Sequence, residues 1–425
     1  MKYGLIGEKL GHSYSKGIHE RIGLYSFELK EIAREDLDAF LTARDFCGIN
    51  VTIPYKQTVI PYLHEIEEGA AMIGAVNTIV NRDGKLYGYN TDYSGLLTLI
   101  RSNGIGIEGK KVLILGTGGT SRTAVAACRK LCAAKITRAG RRQIQKDPSD
   151  RLLSDVSFVT YDKIPEQCRD AEVILNTTPC GMFPDLDTSA VDLTVFDKPE
   201  AVVDVIYNPL RTKLCLQAQS LGIHAVCGLK MLVAQAVCAA EHFTGQTQDP
   251  SLTETIFSEK KKELENIVLT GMPGSGKSTV GKLLSDLTGR RFVDTDEIIV
   301  QKEGREITEI FAKDGEGYFR DLEREVALEL RTEHDLVIAT GGGFMLQPFC
   351  EEALKAYGNV FFLDRDLKAI LPTADRPLAD DKDKIAKLYK QRLPVYRKIA
   401  DHVITVDGTP DETVRAIIRA MEASS

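Results

Sequence analysis

Short apolar runs alternate with longer amphipathic stretches along nearly the whole chain. The clearest runs are KVLILG (111–116), EVILNT (172–177), AVVDVIY (201–207), NIVLTG (266–271), DLVIATGGG (335–343) and NVFFLD (359–364). Strand-length apolar segments separated by helix-length amphipathic ones predict parallel α/β sheets. One interval breaks the pattern. Between Thr244 and Glu265 the chain reads TGQTQDPSLTETIFSEKKKELE, polar with a lysine run and no sustained apolar period, which predicts a linker over 245–265 with a short helix at its C-terminal end. No internal repeat or long low-complexity segment interrupts the rest.

With 425 residues the chain exceeds what one core organises, so two or three domains are expected. Composition narrows the partners. Charged residues make up 27%, apolar residues 43%, and the formal net charge is −7, which gives no sign of a nucleic-acid or membrane surface and points to small molecules. Nine cysteines without C-x-x-C spacing fit reduced thiols in a cytosolic protein better than a disulfide framework. Cys128 and Cys132, i and i+4 in an alanine-rich helix, read as core packing. The N-terminus, MKYGLIGEKLGHS, has no basic segment followed by an apolar run, and no stretch of about 18 apolar residues occurs, so the expected location is cytoplasmic. Oligomeric state is not legible.

Two glycine-rich loops carry the chemistry. In KVLILGTGGTSRTA (111–124) a strand, a glycine turn and a helix start follow one another, the context of a dinucleotide fingerprint, although the third small position falls on Ser121. The strand AKITRAG that follows ends at Arg141 and Arg142, where an NAD site would have an acidic residue. Two guanidinium groups suit a 2′-phosphate, so NADP(H) is favoured. In LTGMPGSGKST (269–279) the pattern Gly-x-x-x-x-Gly-Lys-Ser predicts a nucleoside triphosphate site, with backbone N–H groups around the phosphates, Lys277 neutralising charge and Ser278 reaching Mg²⁺. The loop names the phosphate donor and leaves the acceptor open.

Further motifs, in order, supply the rest: HSYS, NVTIPYK (50–56), GAVNT (74–78), YNTD (89–92), LGTGGTSR, NTTPCGM (176–182), VIYNPL (205–210) and GLKMLVAQA (228–236). Over its first ~245 residues the chain resembles the shikimate dehydrogenase family. Uncharged hydrogen-bonding side chains suit a substrate rich in hydroxyls, and Lys56 with Asp92 offers a proton-transfer pair. The resemblance implies that Lys56 and Asp92 carry the proton of a ketone reduction, with Ser13, Ser15, Thr52, Asn77, Asp92, Tyr207 and Gln235 around the substrate. It implies Gly116, Gly118, Gly119, Thr120, Ser121, Arg141, Arg142, Val205 and Gly228 around the cofactor, Gly228 near the nicotinamide. Two positions depart from the family pattern: Lys16 stands where proline follows the second serine, and Gly140-Arg141-Arg142 replaces Asn-Arg-Thr, so which arginine meets the phosphate stays open.

From about Asn266 onward the chain resembles shikimate kinase, on GMPGSGKST, VDTDE (293–297), GEGYFRDLE (315–323), ATGGG (339–343), DRPL (375–378) and VYRK (395–398). The resemblance implies that Gly274, Ser275, Gly276, Lys277, Ser278 and Thr279 hold the ATP phosphates, that Ser278 and Asp294 serve Mg²⁺, and that Asp296 binds the acceptor hydroxyls as base or orienter. Arg320 and Arg397 are the expected carboxylate clamps. Glu323 either fixes Arg320 or touches the ligand, Gly341, Gly342 and Gly343 allow close approach of the ring, and Arg376 belongs to a lid over the phosphates.

The expected fold is therefore α/β: a substrate-binding domain over 1–95 with a return helix near 229–244, a Rossmann-type NADP domain over 96–228, a linker over 245–265, and a P-loop domain of nucleoside-monophosphate-kinase type over 266–425. The expected function is bifunctional, 3-dehydroshikimate reduced to shikimate and shikimate phosphorylated to shikimate 3-phosphate. A metabolite sensor built from inactive domains is the reading from another class, opposed by the presence of every catalytic residue, and quinate is a rival substrate for the first half.

Overall fold

The computed structural model describes residues 1–11, 13–143, 149–370 and 382–423. The chain divides into two compact units, residues 1–260 and 261–425.

The N-terminal unit holds two sheets. The first contains β1 (Tyr3–Gly7), β2 (Glu28–Glu31), β3 (Gly48–Val51), β4 (Glu65–Ile66), β5 (Thr78–Arg82) and β6 (Lys85–Tyr89), ordered β2-β1-β3-β5-β6-β4. It is mixed: β5 runs antiparallel to both β3 and β6. The second contains β7 (Lys111–Leu115), β8 (Lys135–Gly140), β9 (Ser157–Thr160), β10 (Val173–Asn176), β11 (Ala201–Asp204) and β12 (His224–Val226), ordered β12-β11-β10-β7-β8-β9. Every pairing in it is parallel. Its central strands are buried on both faces, with Leu113, Ile114, Ile174, Leu175, Val202 and Val203 fully enclosed, which is why their sequence reads as uninterrupted apolar runs. Each such side chain contributes about 1.5–3 kcal/mol over leaving it in water.

The helix Leu229–Thr244 follows the second sheet yet packs on the first. Val233, Ala236, Val237 and Ala240 cluster with Ile18 and Ile22, and Ala239 and Phe243 cluster with Leu5, Phe27 and Val80. At Gly48 in β3 any Cβ would strike the Phe243 ring, so glycine there sets how closely the helix docks. Against the helix Thr91–Ser102 the same device recurs: a Cβ at Gly95 would lie 2.6 Å from the Met231 carbonyl oxygen and 3.1 Å from Gln235 Cβ.

The segment predicted as linker is more ordered than its polarity suggests. Leu252–Leu264 forms a 13-residue helix whose Ile256 is 1% exposed in a cluster with Ile18 and Val237. Leu252 and Phe257 pack against the same cluster and Leu264 is buried, so a few apolar residues set among lysines and glutamates hold the helix.

The C-terminal unit is a five-stranded parallel sheet of β13 (Asn266–Thr270), β14 (Arg291–Asp294), β15 (Leu336–Ala339), β16 (Gly358–Arg365) and β17 (His402–Val406), ordered β14-β15-β13-β16-β17. Helices cover both faces. Val268, Ile338, Val360 and Phe362 lie in one core cluster and Ile267, Leu269, Val337, Phe361 and Leu363 in another, so alternate residues of the same strands serve opposite faces. Among the described residues no helix is long and apolar enough to cross a membrane.

Candidate active sites

YNTD builds the first site from a helix start. Asn90 caps the helix Thr91–Ser102 by accepting from the Tyr93 N–H at 3.2 Å, and its own amide donates to the Ala75 carbonyl at 2.9 Å. Thr91 is locked inside: its N–H donates to Asn77 Oδ1 at 2.7 Å and its hydroxyl lies 3.1 Å from both Asn77 Nδ2 and Thr78 Oγ1. With the backbone so fixed, Asp92 faces Lys56, and Lys56 Nζ donates to Asp92 Oδ2 at 2.6 Å. Both side chains remain partly open, 25% and 17% exposed, as a pair that must meet a substrate requires. Lys56 is held from below because its carbonyl accepts the Val76 N–H at 2.8 Å.

One other predicted substrate residue reaches the helix start that carries Asp92. Gln235, 8% exposed, lies 3.4 Å from the Thr91 hydroxyl, delivered by the close helix approach at Gly95. Ser13 Oγ accepts the Ser15 N–H at 3.3 Å where the helix Ser15–Ile22 begins. The Tyr14 and Tyr207 rings sit 5.5 Å apart. Burial raises both phenols above the ordinary tyrosine range, Tyr14 to about 12. Thr52, half-buried, follows β3 and donates its N–H to the Ile6 carbonyl at 2.9 Å. Asn77 is nearly enclosed, so its amide chiefly ties the strand to the helix start.

The first glycine loop leaves β7 at the centre of the second sheet, between β8 and β10, where the order of strands reverses, the position at which open α/β sheets bind ligands at their carboxyl ends. Gly116 has φ +112° and no room for a side chain, since a Cβ would lie 2.7 Å from Thr177 Oγ1. Gly118 and Gly119, in contrast, face open space, a cradle into which a pyrophosphate fits. Thr120 is half-buried beside them, and Arg141 and Arg142 are exposed just past the end of β8.

Ser121 needs correction as a cofactor ligand. It is fully buried, donates its hydroxyl to the Gly118 carbonyl at 2.8 Å and accepts from Arg138 Nη2 at 2.8 Å. Arg138 also donates to the Thr117 carbonyl at 2.8 Å, so this buried arginine braces the loop from behind. Sequence reasoning passed over it because it lies mid-strand.

A second missed residue supports Val205 and Gly228. Asp204, 0% exposed, accepts from Asn176 Nδ2 at 3.0 Å, the Ile206 N–H at 3.0 Å and Thr212 Oγ1 at 2.7 Å. Burial pushes its carboxyl up to about 6 against the pull of those three donors. Gly228 donates its N–H to the Ile206 carbonyl at 2.7 Å, and any Cβ there would collide with the Val205 carbonyl.

In the C-terminal unit the second glycine loop opens onto a cavity of about 440 Å³ lined by Gly274, Gly276, Lys277, Ser278, Thr279, Asp294, Asp296, Arg320, Glu323, Gly341, Gly342, Gly343, Arg365 and Arg392 among others. Gly276, at φ +97°, starts the helix Lys277–Thr288, whose N-terminal N–H groups point at the loop. Lys277 Nζ donates to the Gly271 and Met272 carbonyls at 3.1 and 3.0 Å. Ser275 turns away: it is fully buried and its N–H donates to the Met272 carbonyl at 3.1 Å, which corrects its assignment as a phosphate contact.

Ser278 Oγ donates to Asp294 Oδ2 at 2.7 Å, and Asp294 Oδ1 accepts the Asp296 N–H at 3.0 Å. A hydroxyl and a carboxylate beside a phosphate loop are hard oxygen donors of the kind Mg²⁺ takes with phosphate oxygens and water, so the residues fit that ion. Among the described residues no group of three His, Cys, Asp or Glu side chains forms a site of its own.

The acceptor side rests on the glycine triplet. Thr295, fully buried, accepts the Gly341 N–H at 2.8 Å and ties VDTDE to ATGGG. A Cβ at Gly341 would run into Asp296 Oδ1 and one at Gly343 into the Arg320 guanidinium, so the missing side chains make room for these two groups. Arg320 donates to Glu323 Oε2 and Glu316 Oε1, each at 2.6 Å, and Gln347 Nε2 donates to the same Glu323 oxygen at 2.6 Å. Glu323 Oε1 is buried without a partner. Burial lifts the Glu323 carboxyl to about 7, with Arg320 pulling it down and Asp296 pushing it up.

Arg397 is not at this site. It is 57% exposed and donates to Asp364 Oδ2 at 2.9 Å. From the same helix as Arg397, the arginine that reaches the cavity is Arg392, 8% exposed, whose Nη1 lies 3.1 Å from where a Gly342 Cβ would be. In the helix Lys382–Ile399, Arg392 stands four residues before Tyr396, on the buried stripe of Ile385, Tyr396 and Ile399, while Arg397 is a further 100° around. Tyr396 Oη donates to the Gly342 carbonyl and fixes the stripe against the triplet. Arg376 lies outside the described residues.

Comparison with known proteins places both halves. A family model described as shikimate dehydrogenase substrate binding domain matches residues 5–79, and one described as shikimate kinase matches residues 273–422. The chain is 39% identical over 269 residues to a shikimate dehydrogenase (NADP(+)) of Clostridium perfringens, covering 61% of this chain and 98% of that protein. Among solved structures it is similar to shikimate dehydrogenase 1 of Peptoclostridium difficile, with a TM-score of 0.57 and 35% identity over 61% of this chain and 98% of the other. A Thermus thermophilus shikimate 5-dehydrogenase solved with NADP(H) and shikimate gives a TM-score of 0.53 and 30% identity, covering 61% of this chain and 99% of that one.

Proposed function

The chain belongs to the shikimate dehydrogenase family and ends in a shikimate kinase domain, and on that premise we propose which of its residues perform two consecutive reactions. The enzyme reduces 3-dehydroshikimate to shikimate with NADPH, then phosphorylates shikimate with ATP to shikimate 3-phosphate. NADPH, when bound, would supply the hydride. Lys56 Nζ gives the proton to the ketone oxygen, and Asp92, 2.6 Å away, orients that ammonium and accepts from a neighbouring hydroxyl. Ser13, Ser15, Thr52, Tyr207 and Gln235 hold the remaining polar groups. Gly118 and Gly119 admit the pyrophosphate and Gly116 turns the chain before them, with Arg141 and Arg142 beside the 2′-phosphate.

In the second site Mg²⁺ would neutralise charge on the phosphates, held through Ser278 and Asp294. Lys277 exchanges its two carbonyl contacts for phosphate oxygens. Asp296, lying over Gly341, orients the acceptor hydroxyl and takes its proton. Arg320 and Arg392 clamp the carboxylate, and Glu323 positions Arg320. The location that suits nine free thiols is the cytoplasm.

One observation carries the pairing: two separately built sites converge on one metabolite, the first with its proton-transfer pair assembled and the second with its donor and acceptor residues around one cavity. The test is a coupled assay from 3-dehydroshikimate with NADPH and Mg·ATP, following NADPH loss and ADP formation together. ADP formed at up to one equivalent per NADPH consumed supports the reading. Shikimate accumulating unphosphorylated would overturn the kinase half, and quinate in place of shikimate in the reverse direction measures the rival substrate.

A further inference from the structure

Arg365 faces the phosphate loop, and among the described residues it has no ion pair. Arg365 is the last residue of β16, the strand that pairs with β13 on the flank opposite β15. The two strands run in register through Thr270 and Phe362, so the end of β16 lies beside the loop that leaves β13. Contact there is close: a Cβ at Gly271 would lie 2.9 Å from the Leu363 carbonyl oxygen. One turn of the loop further on, Arg365 Nη1 would be 3.8 Å from a Cβ at Gly276. Arg365 lines the same cavity as Lys277 and Ser278.

Its surroundings leave the charge unanswered. Arg365 Nε is buried and makes no hydrogen bond, and among the described residues the guanidinium has no ion pair. The adjacent carboxylates are engaged elsewhere: Asp364 receives Arg397 and Tyr389, and Asp366 accepts the Lys368 N–H at 2.8 Å. An unpaired guanidinium beside a helix N-terminus and a lysine is electrostatically unfavourable until an anion bridges them. The sheet order decides which anion. Asp296, Arg320 and the glycine triplet approach from the β15 side, whereas Arg365 approaches from the β16 side, so it faces the donor and not the acceptor.

We propose that Arg365 is a nucleotide-binding residue, a second cation that holds the phosphate chain of ATP against the Gly276 turn. The proposal rests on the kinase reading above and adds a residue to it. A charge-assisted guanidinium–phosphate contact predicts that Arg365→Ala raises KM for ATP roughly tenfold to a hundredfold. KM for shikimate stays within about twofold, and Arg365→Lys recovers part of the loss because it keeps the charge without the planar fork. Direct binding should show weakened ADP and unchanged adenosine affinity. Dehydrogenase turnover of the same chain reports its concentration, and kcat at saturating ATP reports folding of the kinase unit. An unchanged ATP KM in Arg365→Ala, or a loss confined to shikimate, would overturn the role of Arg365. A wild-type chain that fails to phosphorylate shikimate would instead overturn the reading beneath it.

Discussion

Replacing Arg392 and Arg397 separately discriminates between two neighbouring arginines that a motif alone cannot separate. Arg392 is 8% exposed and lines the cavity at Gly342, whereas Arg397 is 57% exposed and bound to Asp364. Removing a buried guanidinium that makes charged hydrogen bonds to a carboxylate forfeits about 1.5–3 kcal/mol, or roughly a tenfold to 150-fold fall in kcat/KM for shikimate. Arg392→Lys, which keeps the charge but loses the bidentate fork, should fall between that value and wild type. Arg397→Ala breaks a solvent-screened pair and should leave kcat/KM within about twofold. Phosphorylation is followed by ADP release at saturating Mg·ATP while shikimate is varied, with dehydrogenase turnover in each sample normalising for folded chain. Equal losses in Arg392→Ala and Arg397→Ala, or an Arg392→Ala enzyme indistinguishable from wild type, would refute the assignment.

Three further outcomes follow from the geometry. Lys56→Met should lower dehydrogenase kcat by roughly 10²–10⁴ with little change in NADPH affinity, because only the proton donor is lost; a kcat near wild type would show that the proton comes from elsewhere. Gly341→Ala should impair the kinase by driving a methyl group into Asp296 Oδ1 while leaving dehydrogenase turnover intact, and an alanine variant with full kinase activity would mean that Asp296 can move without cost. The Glu323 carboxyl ionises near 7 in the fold and near the ordinary glutamate value when unfolded, so the folded unit retains a proton across that interval. Stability of the C-terminal unit should therefore fall as pH rises through the interval and level off above about 7, and Glu323→Gln should remove that slope in denaturant titrations at several pH values. A slope unchanged in the variant would count against it.

Strands and loops were legible because the parallel sheets bury both faces and turn at glycine. KVLILG, NIVLTG and NVFFLD could only be interior strands, and the two glycine loops follow them directly. Residues whose work depends on which way a side chain turns were less legible. Ser121 and Ser275 occupy motif positions yet point inward, since the local backbone, a first helical turn at Ser121 and a tight loop at Ser275, and not the residue type, sets direction. Arg392 was missed in favour of Arg397 although the spacing of Ile385, Tyr396 and Ile399 marks its face, a signal available once the helix is drawn as a wheel. Arg138 and Thr295 act through backbone groups distant in sequence and Asp204 through the Asn176 side chain, and no local pattern records such partners.

The return of Leu229–Thr244 to the first sheet has a consequence for synthesis of the protein. Residues 1–95 emerge from the ribosome without the helix that covers Leu5, Ile18 and Val80 and that brings Gln235 to Thr91. Roughly 150 residues separate these segments, so at about 5–20 residues per second the nascent first layer waits about 7–30 s for its cover. During that interval its apolar face is open to chaperones or to other chains. The second sheet closes before the first does, and nascent-chain folding should thus proceed from the middle of the N-terminal unit outward.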